Sequence, residues 1–374
     1  MKIGIVIPGF SASESDWCIP AALNHVRLVA AHHEVHVFAL RYPHVRHVYK
    51  VYGATVHAFG GATTGGIGRG VLIGRVLRAM LAEAQRGQFD VLHAMWADEP
   101  GFIAVVAAKF LRVRAVVSLM GGELVHLPEI GYGHQQSYSA RWLITRALKH
   151  ADVVTVGSQT LMARAEHSPG AGKLAYAPLG VDTTLFMPQG EAEPLAGAVC
   201  LLHVASLVPI KHQALLLEAF ASVEVPDVHL HIVGDGVLYG QLQEMASRMR
   251  ITERVHFHRH VRHEQLAAFY RAAHLCLLTS HYESQSMVAL EAAACGKATI
   301  GTDVGLLREL VDDEWLTDDA DRLAAFIKRL IRDETLRGNL QDRAHLEAVQ
   351  VFSLERGVER WLALYRNQSV PKWN

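Results

Sequence analysis

Short apolar runs rich in β-branched residues alternate with helical stretches along nearly the whole chain, and this alternation most restricts what the chain can fold into. In the first half, "KIGIVI", "EVHVFAL", "TVHAF", "DVLHA", "RAVVSL" and "ADVVTV" read as strands. Between them, "IPAALNHVRLVAA", "GVLIGRVLRAMLAEAQ", "PGFIAVVAAKFL" and "SARWLITRALKH" read as helices. Strands regularly separated by helices imply a parallel sheet covered on both faces. The pattern stops at "YAPLGVDTTLFMPQGEAEPLAG", residues 176–197, which is rich in proline and glycine and has little periodicity. It then restarts with "AVCLLHVASL", "VHLHIVGDG", "RVHFH", "AHLCLLTS" and "KATIGTD".

The expected fold is therefore α/β, with two doubly wound, Rossmann-like domains: residues 1–180 and 181–352. From about residue 320 the chain reads as charged helix. The last segment, 353–374, carries Trp361, Leu362, Leu364 and Tyr365. It is expected to pack back onto the first domain. Ligands of such sheets bind beyond the carboxyl ends of the strands, so the chemistry should lie in the loops after strands, around a central cleft.

Composition narrows the function. Half of the 374 residues are hydrophobic and the net charge is −1, which suits two ordinary cores and argues against nucleic-acid binding by bulk basicity. Cys18, Cys200, Cys276 and Cys295 lack metal or redox spacing and read as reduced core thiols of a cytoplasmic protein. "MKIGIVIPGF" reads as a first buried strand rather than a signal peptide, and no apolar run approaches the length of a membrane span. Among the 23 histidines, His256, His258 and His260 fall on one face of a strand. A solvated strand face is the expectation there, with no metal, because no carboxylate or cysteine completes a ligand set.

"HYESQSMVALEAAACGK" (281–297) carries the most chemistry. Glu291 shares a helical face with Met287, Leu290 and Ala294, where an ionised carboxylate is costly unless something bonds to it. The strand before it ends at Ser280, Glu283 lies in the loop, and Ser284 or Ser286 suits the helix N-cap. The free amides of that helix start suit a phosphate. Lys211 lies at the start of another helix, where a cation opposes the dipole, as if answering an anion. Asp235 sits between two glycines at a third turn. A ligand with a diphosphate and vicinal hydroxyls, such as a nucleotide sugar, would use all of these groups. The alternative is that Glu283 caps the helix and Glu291 pairs internally.

"HYESQSMVALEAAACGKATIGTDVGLLRELV" resembles the E-x7-E segment of the retaining glycosyltransferases of family 4, which have the GT-B fold. "YAPLGVDTTLFMP" resembles that family's linker, "HIVGDGVLYGQL" its Gly-Asp-Gly turn, "RVHFHRHVRHEQLAAFYRAAHLCLLTS" its spacing, and "FSLERGVERWLALY" its final helix. The resemblance implies that Glu291 holds the ribose and Glu283 meets the donor sugar. It further implies that the segment Ser284, Gln285, Ser286 and Met287 offers amides to sugar and diphosphate. Lys211 would neutralise the leaving diphosphate, Asp235 would belong to the donor site, and His260 and Val261 would border the base. Three positions depart from the family pattern, one being the Gly pair after the E-x7-E segment, which stands here as Gly305-Leu306. Ser206 replaces the usual arginine of the turn before the lysine, and Met120 replaces a histidine, whose role is then vacant or passes to a neighbour such as Glu123 or His126.

The reaction so implied transfers a sugar with retention from a nucleotide donor, UDP by its frequency in the class, to a hydroxyl acceptor in glycan or glycolipid synthesis. No cofactor and no metal are expected. The acceptor, a glycan or a lipid-linked one, would meet strand-end loops of the first domain holding Asp16, Trp96, Glu99, Gly121, Gly122, Glu123 and His126. Arg69, Arg75, Arg78 and Arg86 lie on one amphipathic helix. A solvated face is its ordinary reading, and a peripheral contact with anionic lipid of the inner membrane face the other. The rival functions are an epimerase or phosphorylase on the same fold, and an inactive donor-binding partner subunit.

Overall fold

The computed structural model describes residues 1–61 and 66–368. The chain forms two compact units, one of residues 1–179 together with the segment from 354 onward, the other of residues 180–353.

The first unit runs β1 (Lys2–Gly9), α1 (Pro20–Ala30), β2 (Glu34–Tyr42), β3 (Arg46–Val51), β4 (Ala54–Phe59), α2 (Gly66–Arg86), β5 (Val91–Met95), α3 (Glu99–Leu111), β6 (Arg114–Ser118), α4 (Tyr138–His150), β7 (Val153–Val156), α5 (Gln159–Ala165) and β8 (Leu174–Tyr176). The eight strands are ordered β3-β4-β2-β1-β5-β6-β7-β8. All pairs are parallel except β3 with β4. Helices on both faces explain why β1 and β5 are almost continuously apolar and buried. The two strands that periodicity does not reveal are the exposed, polar edge strand β3 and the three-residue β8.

The second unit runs β9 (Val199–Val204), α6 (Gln213–Ala221), β10 (Val228–Val233), α7 (Tyr239–Arg248), β11 (Val255–His258), α8 (Leu266–Ala272), β12 (Leu275–Leu278), α9 (Met287–Ala294), β13 (Thr299–Gly301), α10 (Leu307–Leu310), α11 (Ala320–Arg332) and α12 (Glu334–Gln350). Its sheet is parallel, ordered β11-β10-β9-β12-β13.

The final helix, α13 (Leu354–Tyr365), belongs to the first unit; residues 369–374 lie outside the described residues. Buried Trp361 stacks on His93, and Tyr365 Oη lies 2.6 Å from His93 Nδ1. His93 Nε2 lies 2.7 Å from Ser118 Oγ, which also accepts a bond from Thr155 Oγ1 at 2.8 Å. Burial holds the His93 imidazole well below its ordinary pKa, so it sits there neutral.

Two sequence expectations change here. β11 ends at His258, and His256 and His258 stack on His229 and His231 of β10 instead of facing solvent freely. His260 lies beyond the strand at φ 55°. Cys200, Cys276 and Cys295 are buried free thiols, but Cys18 is exposed, because it follows β1 in a loop rather than a core segment.

Candidate functional site

Three strand-end turns of the second unit build the site. After β10, the Gly234-Asp235-Gly236 turn packs on the turn after β9. Leu207 N donates to Asp235 O at 2.9 Å and Leu238 N to Leu207 O at 3.0 Å. Side chains cannot fit between them: a Cβ on Gly234, at φ 139°, would lie 2.0 Å from Ala205 O. Ser206 is exposed on this turn, and its carbonyl accepts from Gln213 Nε2 at 3.0 Å. Asp235 accepts from Arg259 at 2.7 Å, and His260 Nε2 lies 3.1 Å away. The Arg259 hydrogen bond, helped by the Gly236 amide, holds the Asp235 carboxyl below its ordinary range. Val261 follows, half-buried.

Lys211 closes a tight turn, Pro209–Lys211, two residues before α6, rather than beginning the helix itself. Its carbonyl accepts from Thr279 Oγ1 at 3.2 Å and Ile210 O from His281 N at 2.8 Å, which pins the turn to the end of β12. Lys211 Nζ then meets Glu283 Oε1 at 2.5 Å, and Ser280 Oγ donates to the same oxygen at 2.7 Å. The anion that Lys211 answers within the chain is Glu283. Both side chains remain partly open, 24% and 15% exposed.

The segment from Ser284 to Met287 enters α9 through a left-handed residue. Ser286 has φ 56° and its side chain does not cap the helix. Instead Ser286 Oγ donates to Val304 O at 3.2 Å. A Cβ on Gly305 would lie 2.1 Å from that Oγ, so Gly305 is what lets the next loop close over Gln285 and Ser286. Gln285 and Ser286 are buried and Ser284 and Met287 are half-buried.

Glu291 is buried, 6% exposed, but it is not bare. Its Oε1 lies 3.0 Å from His263 Nε2, and its Oε2 accepts from Tyr270 Oη at 2.9 Å. Burial first and then the Glu291 carboxylate hold the Tyr270 phenol well above its ordinary pKa. The sequence reading left internal pairing of Glu291 open, and the structure shows that pairing. His263 and Tyr270 escaped that reading, although their spacing of seven residues places them on one helical face.

In the first unit, the strand-end loops carry the residues expected to meet an acceptor. Asp16 Oδ2 accepts from Ala12 N at 2.7 Å and Tyr42 Oη at 2.9 Å. Trp96 is half-buried at φ 84°. Gly121 lies beside the Trp96 indole and Gly122 beside the Tyr132 ring. His126 is exposed. Two glutamates are already committed. Glu99 begins α3, with Arg41 at 2.6 Å and Arg69 at 2.7 Å. Glu123 is fully buried and accepts from Ala97 N at 3.2 Å, Met120 N at 3.0 Å and Gly121 N at 2.7 Å. Glu123 therefore shapes the loop. Of the arginines of α2, Arg69 is held by Glu99 and Arg86 by Glu83 at 2.9 Å, leaving exposed Arg75 and Arg78 for any surface role.

Among the described residues, one trio, His36, His57 and Glu83, brings possible metal-ligand atoms within 4.8 Å of one another. Lys2 Nζ, 3.1 Å from Glu83, already places a cation there. No helix of the described residues is long and apolar enough to cross a membrane.

Residues 193–346 match the family model described as glycosyl transferases group 1, and residues 25–185 match that of glycosyltransferase family 4. The chain is 26% identical over 310 residues to N-acetyl-alpha-D-glucosaminyl L-malate synthase of Bacillus anthracis, covering 77% of this chain and 78% of that protein. Sucrose-phosphate synthase from Thermosynechococcus elongatus has a similar structure, with TM-score 0.80, 21% identity and coverage of 98% and 99% of the two chains. The structure of Anabaena HepE in complex with UDP gives TM-score 0.75 at 20% identity, over 98% and 100%.

Proposed function

The chain belongs to the group 1 glycosyltransferases of family 4, with the GT-B fold, and on that premise we propose that it transfers a sugar with retention from a UDP-sugar to a hydroxyl acceptor in glycan synthesis. The observation that carries this reading is the Lys211–Glu283 pair at 2.5 Å, on two strand-end turns of one sheet. A cation and a carboxylate held together and partly open can separate around a ligand. Lys211 then turns to the diphosphate and Glu283 to the sugar hydroxyls. Stabilising the departing diphosphate with a fixed cation lowers the barrier directly, because charge develops there in the transition state. Glu291, oriented by His263 and Tyr270, presents its carboxylate to the ribose. The reaction so described needs no metal from the protein.

A relative named for malate as acceptor and a structural neighbour solved with UDP support a nucleotide donor and a hydroxyl-bearing acceptor. The test is nucleotide release from UDP-, GDP- and ADP-sugars with and without acceptors. Transfer by the wild type with loss in Lys211→Ala and Glu283→Ala supports the reading. Near-normal turnover in either folded variant overturns it, and conversion of the donor without acceptor would point to an epimerase.

A further inference from the structure

The outer face of α4 is not built like an ordinary solvated helix. It carries Arg141, Arg146 and Lys149 and no acidic residue. A helix in water commonly mixes both signs, as α12 does with Glu334, Arg337, Asp342, Arg343 and Glu347. Tyr138, Trp142, Arg146 and Lys149 recur every three or four residues and so share one stripe. That stripe faces out. Tyr138 is 78% and Trp142 46% exposed, and Arg146 and Lys149 are exposed as well. Leu143, Ile144, Ala147 and Leu148 bury the other side of the helix, so the two exposed rings are not needed for its packing.

Trp142 stands between two grooves. One, between α3 and α4, encloses about 550 Å3 against Phe102, Val105, Val106 and Val113, with exposed Lys109 and Arg112 beside them. The other, between the starts of α2 and α4, encloses about 450 Å3 against Ile73, Tyr138 and Leu143. Trp142 lines both. The surface is held in shape without a ligand. Arg69 of α2 is fixed by Glu99 at 2.7 Å and donates to Ser139 Oγ at 2.8 Å, and the Phe102 and Trp142 ring centres lie 5.4 Å apart. The one acid lining the α3–α4 groove, Asp152, already accepts from Ala115 N at 2.8 Å.

The cations of this surface lack counter-charges. Arg141 lies over the Tyr138 ring at 5.7 Å and Arg146 over the Trp142 ring at 5.4 Å. Among the described residues, Lys109, Arg112, Arg141, Arg146 and Lys149 form no ion pair. Five cations around two apolar grooves select an occupant that is anionic at its surface and apolar beneath. A bilayer with anionic headgroups is both. Its headgroups meet the cations, indole and phenol rings sit at headgroup depth, and acyl chains conform to irregular grooves. A protein partner would need an apolar ridge of matching shape set in an acidic surface.

We propose that α4, with the groove walls from α2 and α3, docks on an anionic lipid bilayer, Trp142 entering the interface between the two grooves. The test is flotation of the full chain with vesicles of phosphatidylcholine alone or of equal parts phosphatidylcholine and phosphatidylglycerol. The wild type should float with the anionic vesicles and not with the neutral ones, and salt should release it. Arg146→Gln with Lys149→Gln should lower the partition coefficient about thirtyfold. Trp142→Ala should lower it about tenfold. Arg322→Gln with Arg332→Gln in α11 removes as much charge from the second unit and should float like the wild type. Brominated acyl chains should quench part of the tryptophan fluorescence, and Trp142→Phe, which keeps a ring against Phe102, should abolish that quenching. Equal flotation with neutral vesicles, flotation with neither, or wild-type flotation of the Arg146→Gln, Lys149→Gln protein overturns the proposal. Quenching that survives Trp142→Phe does the same. Self-association abolished by Trp142→Ala, with no vesicle binding, would give this face to a second copy and equally overturn it. If Trp142→Ala melts early, the paired charge variant and Trp142→Phe decide.

Discussion

Glu123 of the first unit and the two site glutamates of the second are held in opposite ways. In the second unit, Glu283 meets Lys211 and Ser280, and Glu291 meets His263 and Tyr270. All these partners are side chains, which can rotate away or share a ligand. In the first unit, Glu123 is satisfied by three backbone amides. Amides fixed in a loop cannot leave without unmaking the loop. A buried carboxylate is thus available for chemistry when its partners can move, and structural when they cannot. The number of its hydrogen bonds does not distinguish the two cases.

The widest separation should come from removing one member of each kind. Lys211→Ala should lower transfer about 10²–10³-fold, the size of losing one preorganised donor to developing charge, with little change in melting temperature. Glu123→Ala should do the reverse. It removes the acceptor of three loop amides, one of them buried, at about 1 kcal/mol each, so denaturant unfolding of the first unit should move by about 3 kcal/mol. If Glu123→Ala melts like the wild type and loses only activity, the distinction fails.

Acid should weaken both units through their histidines. His25 and His203, fully buried in the first and second unit, are each held near 4 by burial. The unfolded chain binds more protons than the folded one between pH 6.5 and 4. Stability is therefore full above about 6.5 and falls as pH drops, by up to about 3 kcal/mol for each such imidazole. Urea midpoints at pH 7 and 5 check this, and His25→Phe should flatten the slope if it folds. Glu291→Ala should cost about 1–3 kcal/mol through the stranded His263 and Tyr270 and raise the donor KM, read by melting and by initial rates. The smallest effects belong to α2. Arg75→Gln and Arg78→Gln should change stability by less than about 0.5 kcal/mol, whereas Arg69→Gln strips a partner from Glu99 and should lower it more. Sedimentation with anionic vesicles then tells whether Arg75 and Arg78 touch lipid.

The alternation of strands and helices was legible because both sheets are covered on both faces, which leaves continuous apolar runs between turns. The edge strand β3 was not, since an exposed strand need not carry an apolar face. Glu283, Lys211 and the Gly234-Asp235-Gly236 turn could be named because each sits in a short loop between unmistakable elements. What joins them could not. His263 and Tyr270 reach Glu291 from 28 and 21 residues away. Side-chain direction in a non-helical loop also leaves no periodic trace, so Ser286 read as an ordinary cap.

A structure of the protein with UDP-glucose tests the central claim most directly. It should show Lys211 Nζ released from Glu283 and bonded to the diphosphate, with the ribose diol within hydrogen-bond distance of Glu291. A nucleotide bound elsewhere, with the 2.5 Å Lys211–Glu283 pair intact beside it, would contradict the account.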